Sequence, residues 1–469
     1  MFNNEPATEE EIVPQARQRD LLYGLDDRPP LSQSIFVALQ HVLAVFVGII
    51  TPPLIISKAL NLAASDEAFL VSMALFISGA GTLLQSRRIG LLGSGLLSIQ
   101  GTSFVFVGPI IALAKTVMTE GTASSPRAAL GVVFGTCLVG ALVPVVISPF
   151  IHLANKVITP LVTGVVVTLI GLTLVQVGIT SLGGGFDARA NGTFGSLENL
   201  LWAGIVIALI VVLNSSNSEW LRMISVVAGL AGGYVVAILA GKIGFANLHE
   251  FPWFTVPAPL HYGLGIRLSA LIPFSFLYVI TAIESIGDLT ATSALTCEPI
   301  AGPLYFRRLR GGVMADGVSS MLAAIFNSFP STTFAQNNGV IQLTGVGSRY
   351  IALFVGGILM LLGLCPVVGG VIQSMPQSVL GGATIVMFGT VAVSGIKILS
   401  GVELDRRSST IAAIAFGLGL GVTFVPDIMH GMPQLVRETF SSGIATGGMS
   451  ALLLNAILPE KKACAGAVG

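Results

Sequence analysis

Charge is what this sequence has least of. Only 10% of its 469 residues are Asp, Glu, Lys or Arg, against 53% hydrophobic residues, and mean hydropathy is +0.87. A chain so poor in charge cannot clothe a water-soluble surface, so the composition is that of a polytopic membrane protein. The few charges balance at 23 of each sign, which leaves no basic excess for a nucleic-acid partner. Cysteine is scarce too: Cys137, Cys297, Cys365 and Cys464 lie far apart, without a CxxC pair or a histidine at ligand spacing. Isolated thiols of this kind pack as small hydrophobes, and no metal or other cofactor is expected. There is no HExxH run and no Ser or Cys nucleophile beside a general base, so no enzyme chemistry is expected. Residues 1–33 contain no short apolar core of a cleavable signal peptide. They read as a mobile or surface-lying cytoplasmic tail ended by Pro29-Pro30.

What the chain has in abundance is apolar runs long enough to cross a bilayer as helices. About fourteen are present, near 34–57, 68–86, 91–114, 128–149, 159–180, 198–215, 221–241, 268–296, 311–328, 331–347, 350–373, 379–399, 408–425 and 440–458. With both termini inside, sixteen Lys and Arg fall in cytoplasmic loops and seven on the other side, which fits the retention of cations on the cytoplasmic side. The expected location is a bacterial inner membrane. Residues 459–469 form a second cytoplasmic tail.

An internal repeat is visible between the fifth and twelfth spans. Pro160 opens one, with Gly164, Gly171 and Gly178; Pro376 opens the other, with Gly382, Gly389 and Gly395. The third and tenth spans share a different peculiarity, polar residues where a lipid-spanning helix is apolar: Ser98-Ile99-Gln100-Gly101-Thr102-Ser103-Phe104 and Ser331-Thr332-Thr333-Phe334-Ala335-Gln336-Asn337-Asn338-Gly339. Such runs are tolerated only where protein or a watery cavity satisfies them. A seven-span repeat inverts its second copy, bringing two broken helices together near the midplane. Short extended segments are expected at about 99–103 and 332–336, each followed by a half-helix; pairing with one another is one way for them to satisfy their backbone groups, two kinked helices bonded to neighbouring spans the other.

Acids within the spans are Glu284 and Asp288, four residues apart and so on one helix face, and Asp316. No Lys or Arg lies in the same spans to neutralise them, and a charged carboxylate in the bilayer costs at least ~2.5 kcal/mol. Each is expected to be hydrogen-bonded, wet, or protonated part of the time, as a proton carrier needs.

These residues resemble the nucleobase–ascorbate transporter family, also called nucleobase–cation symporter-2. The likeness runs from about 30 to 458. It rests on Gln336-Asn337-Asn338-Gly339 with Thr344-Gly345, on Gln40-His41, on Ser98-Ile99-Gln100 with Ser103-Phe104, on Glu284-Ser285-Ile286-Gly287-Asp288, and on Asp316. The resemblance implies an all-α fold of fourteen spans in two inverted repeats, with short β-strands in spans 3 and 10. It implies a core domain (34–149 and 268–373), a gate domain (159–241 and 379–458) and a homodimer. Glu284 matches a position that accepts hydrogen bonds from the base, Gln336 one that makes a two-pronged amide contact, and Ser103 and Phe104 positions that touch the base. Asn337 matches a position tuning selectivity; Asp316 and His41, with Asp288, match proton coupling and its network.

The function implied is proton-coupled import of an oxidised purine, xanthine first and uric acid second, by movement of core against gate. A uracil or broad nucleobase permease is the alternative; uracil-type members carry an acid where this chain has Gln336, which favours the oxidised purine. Many relatives have Arg or Lys where Gly345 stands, which keeps uric acid open. An anion exchanger or channel of the same architecture would want a basic residue at 98–104 or 331–345, and there is none.

Overall fold

The computed structural model describes residues 21–151, 159–243 and 253–429 and, apart from a few positions between 430 and 441, the chain as far as 458. It is a bundle of helices with a single two-stranded sheet among the described residues. Helix α1 (Leu31–Ala59) starts directly after Pro30. α2 (Ala64–Ser86) follows a turn at Asn61 and carries Asp66 and Glu67 in its first turn, where carboxylates oppose the positive end of the helix dipole. Then come strand β1 (Gln100–Thr102), a 3-10 turn (Phe104–Phe106), α3 (Val107–Thr119), α4 (Pro126–Gly140) and α5 (Leu142–Ile147).

Helices α6 (Pro160–Leu182), α7 (Gly185–Ala190), α8 (Leu197–Asn214) and α9 (Glu219–Leu239) complete the first half. The second half runs α10 (Leu268–Leu295), α11 (Gly302–Ile325), strand β2 (Ser331–Thr333), α12 (Gln336–Thr344), α13 (Ile351–Gly363) and α14 (Pro366–Gln373). It ends with α15 (Gln377–Ser400), α16 (Arg406–Phe424) and α17 (Gly443–Ile457). Starts are capped by side chains the sequence supplies at those points. Ser125, Thr159, Ser196, Asp405 and Ser442 each accept from a backbone N–H in the first turn of the helix they precede, as capping residues do.

By length and hydropathy, eight helices among the described residues are able to cross a membrane. A bent pair, Ile351–Gly363 with Pro366–Ile372, turns by 78°, and Cys365-Pro366 explains the break. Three shorter apolar helices span Phe104–Thr119, Ile224–Leu239 and Gly443–Ile457. The expected ninth span, 311–328, needs correction: its helix begins at Gly302, so Arg307, Arg308 and Arg310 lie on α11 and not in a loop. Arg308 is 6% exposed and its Nη2 is 2.8 Å from Glu298 Oε2; that ion pair lets the helix start earlier than its hydropathy indicates. Within the expected tail, residues 22 and 23 bond to the segment after α12: Leu22 N–H donates to Gly345 O at 2.8 Å and Gly347 N–H to Tyr23 O at 2.9 Å. Residues 1–20 and 459–469, with Cys464, lie outside the described residues.

α2 and α6 each gather a set of neighbours, and contacts of α1 with α9 and of α6 with α10 join the two sets. α2 is covered by α13, α14, α1 and α11, while α6 lies along α15 and beside α16 and α17, and α9 packs on α8. The α6–α15 contact is antiparallel and stitched by glycine: a Cβ on Gly171 would meet Ala392 N at 2.2 Å, one on Gly395 would meet Thr168 N at 2.3 Å, and one on Gly381 would meet Leu182 N at 2.1 Å. Close backbone approach through small residues is how helices associate where lipid supplies no hydrophobic drive. Gly389, by contrast, has open space where its Cβ would be. Gly171→Leu is therefore expected to lower the melting temperature of the detergent-purified protein sharply, the strain exceeding about 3 kcal/mol, while Gly389→Ala leaves it unchanged or slightly raised. Equal melting of the two variants in a thermal-shift series would contradict this packing.

Candidate functional site

β1 and β2 come from opposite halves of the chain and pair antiparallel, Gln100 opposite Thr333, Gly101 opposite Thr332 and Thr102 opposite Ser331. The pairing continues at both ends, with Phe334 N–H donating to Ile99 O at 3.0 Å and Ser103 N–H to Pro330 O at 2.8 Å. The second extended segment stops at Thr333, shorter than the expected 332–336, because α12 begins at Gln336. Space for this crossing is made by two glycines: a Cβ on Gly101 would meet the Phe334 ring at 2.4 Å, and one on Gly48 of α1 would meet it at 2.6 Å.

The acids attach to this ribbon. Asp316 on α11 accepts from Gln100 Nε2 at 2.5 Å and from Ser285 Oγ. Asp288 on α10 accepts from Thr333 Oγ1 at 2.9 Å, and Ser285 Oγ lies 3.2 Å from Thr332 Oγ1 and 3.3 Å from Thr333 Oγ1. Two helices and two strands are thus laced by one network in which hydroxyl and amide groups, not cations, hold the carboxyls. No ion pair reaches Glu284, Asp288 or Asp316 among the described residues. Since an uncompensated buried charge is costly, uncharged donors and a proton are the means left to stabilise these groups.

Several polar atoms next to the ribbon have no protein partner at all. Glu284 Oε2, Ser103 Oγ, Gln100 Oε1 and Asn337 Oδ1 are buried and unbonded among the described residues. Asn337 spends its other amide atom on Leu97 O, at 2.5 Å. Buried polar atoms are nearly always satisfied, so these four atoms leave hydrogen-bonding capacity that the protein itself does not use. Gln336 opens α12 half-buried, one residue before Asn337. Phe104, 9% exposed, stands edge-on to Phe388 of α15 with ring centroids 5.1 Å apart. That contact joins the strand-bearing half of the site to the α6–α15 pair.

Comparison with known proteins decides the family. The family model described as the Permease family matches residues 32–428. Xanthine permease XanP of Escherichia coli is 48% identical over 453 residues, covering 96% of this chain and 97% of its own. Xanthine permease XanQ of the same organism is 42% identical over 440 residues, 94% of each. Uric acid permease PucJ of Bacillus subtilis is 34% identical over 423 residues, 89% of this chain and 91% of its own. The chain belongs to the nucleobase–ascorbate transporter family. Among solved structures, the transmembrane domain of the cyanobacterial bicarbonate transporter BicA shares this permease's fold with a TM-score of 0.54 over 92% of this chain and 99% of its own, at 13% identity. Murine Slc26a9 does so with a TM-score of 0.60 over 91% and 69%, also at 13% identity.

The structure of this permease brings Ser103, Phe104, Glu284, Asp288, Asp316, Gln336 and Asn337 to the same two strands and the three helices beside them. His41 stays apart from the network: it is fully buried in α1 with neither ring nitrogen hydrogen-bonded among the described residues. Sequence reasoning placed Gln100, Ser285, Thr332, Thr333 and Asn338 in the polar runs and motifs but gave none of them a role of its own. Asn338 Oδ1 accepts from Thr292 Oγ1 at 2.7 Å, which locks α12 to α10. The available signal was their polarity within apolar spans; Phe388 gave no signal, because an aromatic in an apolar helix looks like any core residue. Thr333→Val keeps the shape and removes the hydroxyl given to Asp288, so a loss of about 1–3 kcal/mol is expected, seen as a lower melting temperature that Thr333→Ser restores. Identical melting of the Val variant and the parent would show that this bond holds nothing.

Proposed function

We propose that this permease is a proton-coupled symporter importing an oxidised purine, with xanthine as the first substrate and uric acid as the second. The observation that carries the reading is the unbonded Glu284 Oε2 beside a ribbon whose other two acids already have donors. A purine dione presents alternating N–H and C=O groups. Glu284 would accept from its ring N–H groups, and the side-chain amide of Gln336 offers donor and acceptor in one plane for an adjacent C=O and N–H. Asn337 Oδ1 and Ser103 add further hydrogen-bonding capacity, and Phe104 an aromatic face. Asp288, Asp316 and His41 are assigned to proton coupling and support of the site. Similarity to the xanthine permeases XanP and XanQ and the uric acid permease PucJ favours purines over uracil, and Gln336 in place of an acid points the same way. No covalent chemistry on the substrate is part of this reading.

Transport would proceed by alternating access of a core (34–149, 268–373) against a gate (159–241, 379–458). In its support, α2 gathers α1, α11, α13 and α14, while α6 gathers α15, α16 and α17. Taking the bent pair as one span and adding the three shorter apolar helices, α11 and the broken β2–α12 segment to the eight long helices brings the reading to fourteen spans. Fourteen is even, so both termini would lie on the cytoplasmic side of a bacterial inner membrane. The least covered long helices are α8 and α16, 17% and 22% buried, and the gate surface they form would serve a homodimer.

The test is uptake of labelled xanthine by cells expressing the chain, with uric acid, hypoxanthine and uracil as unlabelled competitors, at fixed external pH and sodium, with and without a protonophore. Concentrative uptake that the protonophore abolishes and oxidised purines compete is expected. Glu284→Gln is expected to reduce it to background, and Gln336→Glu to weaken xanthine about 10- to 100-fold by setting a second acid against the base. Concentrative, protonophore-sensitive uptake by Glu284→Gln would sink the assignment of Glu284, and competition by uracil alone would sink the purine.

A further inference from the structure

At the end of the core opposite the Asp66–Arg127 ion pair, seven arginines gather: Arg28, Arg87, Arg88, Arg307, Arg308, Arg310 and Arg349. Two of them have carboxylate partners, Arg308 with Glu298 and Arg349 with Asp26, and Arg28 lies over the Tyr350 ring. For Arg87, Arg88, Arg307 and Arg310 no ion pair is found among the described residues. Arg88, Arg307 and Arg310 converge on a cavity of about 280 Å³ whose wall also includes Gly93, Ser148 and Pro303 and contains no carboxylate. Arg310 Nε is buried without an acceptor. The wall is rigid: Gly93, at φ +88, donates its N–H to Gly311 O at 2.9 Å and has no room for a side chain, since a Cβ would meet Arg87 O. Partial burial, and the proximity of Arg307, Arg308 and Arg349, push the Arg88 guanidinium below its ordinary pKa. Like charges held this close in a shaped cavity store repulsion that a polyanionic group relieves.

The surroundings narrow the ligand. Next to the cavity, Val146 and Phe150 at the end of α5 are 63% and 56% exposed, and Ile89 and Leu91 are 58% and 57% exposed. An apolar stripe running up to a basic cavity at one end of a helix bundle matches an acyl chain below a charged headgroup.

We infer that this cavity is a binding site for a phosphate group, and that the apolar stripe beside it fits the acyl chains of an anionic phospholipid. Guanidinium forks from Arg307 and Arg310 take the phosphodiester oxygens, Arg88 closes the third side, and the chains lie along Val146 and Phe150. None of these residues belongs to the substrate site described above, so the inference stands apart from the proposed transport function.

Native mass spectrometry of the detergent-purified full chain tests it, with phosphatidylglycerol, phosphatidylcholine and inorganic phosphate as the probes, followed by a melting series. Retained phosphatidylglycerol and a rise in melting temperature with it, absent with phosphatidylcholine, are expected. Arg307→Gln with Arg310→Gln is expected to bind phosphatidylglycerol about thirtyfold more weakly, at roughly 1 kcal/mol per arginine removed, and Arg310→Lys to keep most of the affinity. A matching rise with millimolar inorganic phosphate, lost in the same variant, would support the phosphate site and transfer it to a soluble ligand. Equal retention of phosphatidylglycerol by the parent and the Gln variants, with the parent melting profile intact, would overturn the site. If the double variant does not fold, Arg88→Gln alone is read the same way, at about fivefold.

Discussion

Everything in this molecule depends on satisfying the backbone where two helices are broken inside an apolar bundle. An interrupted helix leaves N–H and C=O groups that lipid cannot bond. Here the two interruptions satisfy one another as a three-residue antiparallel ribbon. Because the strands come from opposite halves of the chain, neither break is tenable without the other, and the halves must fold together. The crossing is tight enough that Gly48 and Gly101 are needed to admit the Phe334 ring, so what looks like flexible sequence is a steric requirement.

The electrostatics follow from the same ribbon. Its side chains Gln100 and Thr333, with Ser285, give the carboxyls on α10 and α11 neutral donors, and Thr332 lies against the Ser285 hydroxyl. A cation in their place would fix those carboxyls in the charged form and hold the helices permanently. Neutral donors satisfy them without adding a charge to the bundle. Meanwhile the cations sit at the ends of the bundle, where Lys58, Arg127, Lys242 and Arg267 meet Glu67, Asp66, Glu198 and Glu120, or in the arginine cluster at the opposite end of the core.

Much of this was legible before any coordinates. Apolar runs located the long helices α1, α2, α6, α8, α10, α15 and α16 to within a few residues, because a long lipid-facing segment has little freedom in composition. The interrupted spans stood out by their polar residues, as did Glu284, Asp288 and Asp316, since ionisable groups are rare in such surroundings. The start of α11 was hidden, because Arg308 reads as a loop residue until Glu298 is found beside it. Which glycines matter was also hidden: Gly171 and Gly389 look alike in the repeat, yet one touches backbone and the other faces open space. The tie between residues 21–25 and the segment after α12 rests on main-chain bonds, which leave no mark on side-chain pattern.

The division among the three acids bears most directly on mechanism. Asp316 has two donors and Asp288 one, all from groups fixed by the ribbon, so each has a structural duty whether or not a ligand is present. Glu284 lies on the same helix face as Asp288, one turn away, yet has a buried oxygen without a protein donor. A carboxyl in that position is stabilised by whatever brings an N–H or a proton to it, and the two substitute for one another only in part: a proton neutralises the group, whereas a base N–H bonds it in either state. On the proposed function, binding of the one would therefore alter the value of the other, which is the thermodynamic content of coupling. It requires no cation and no long-range relay, only an acid that the fold has left incomplete.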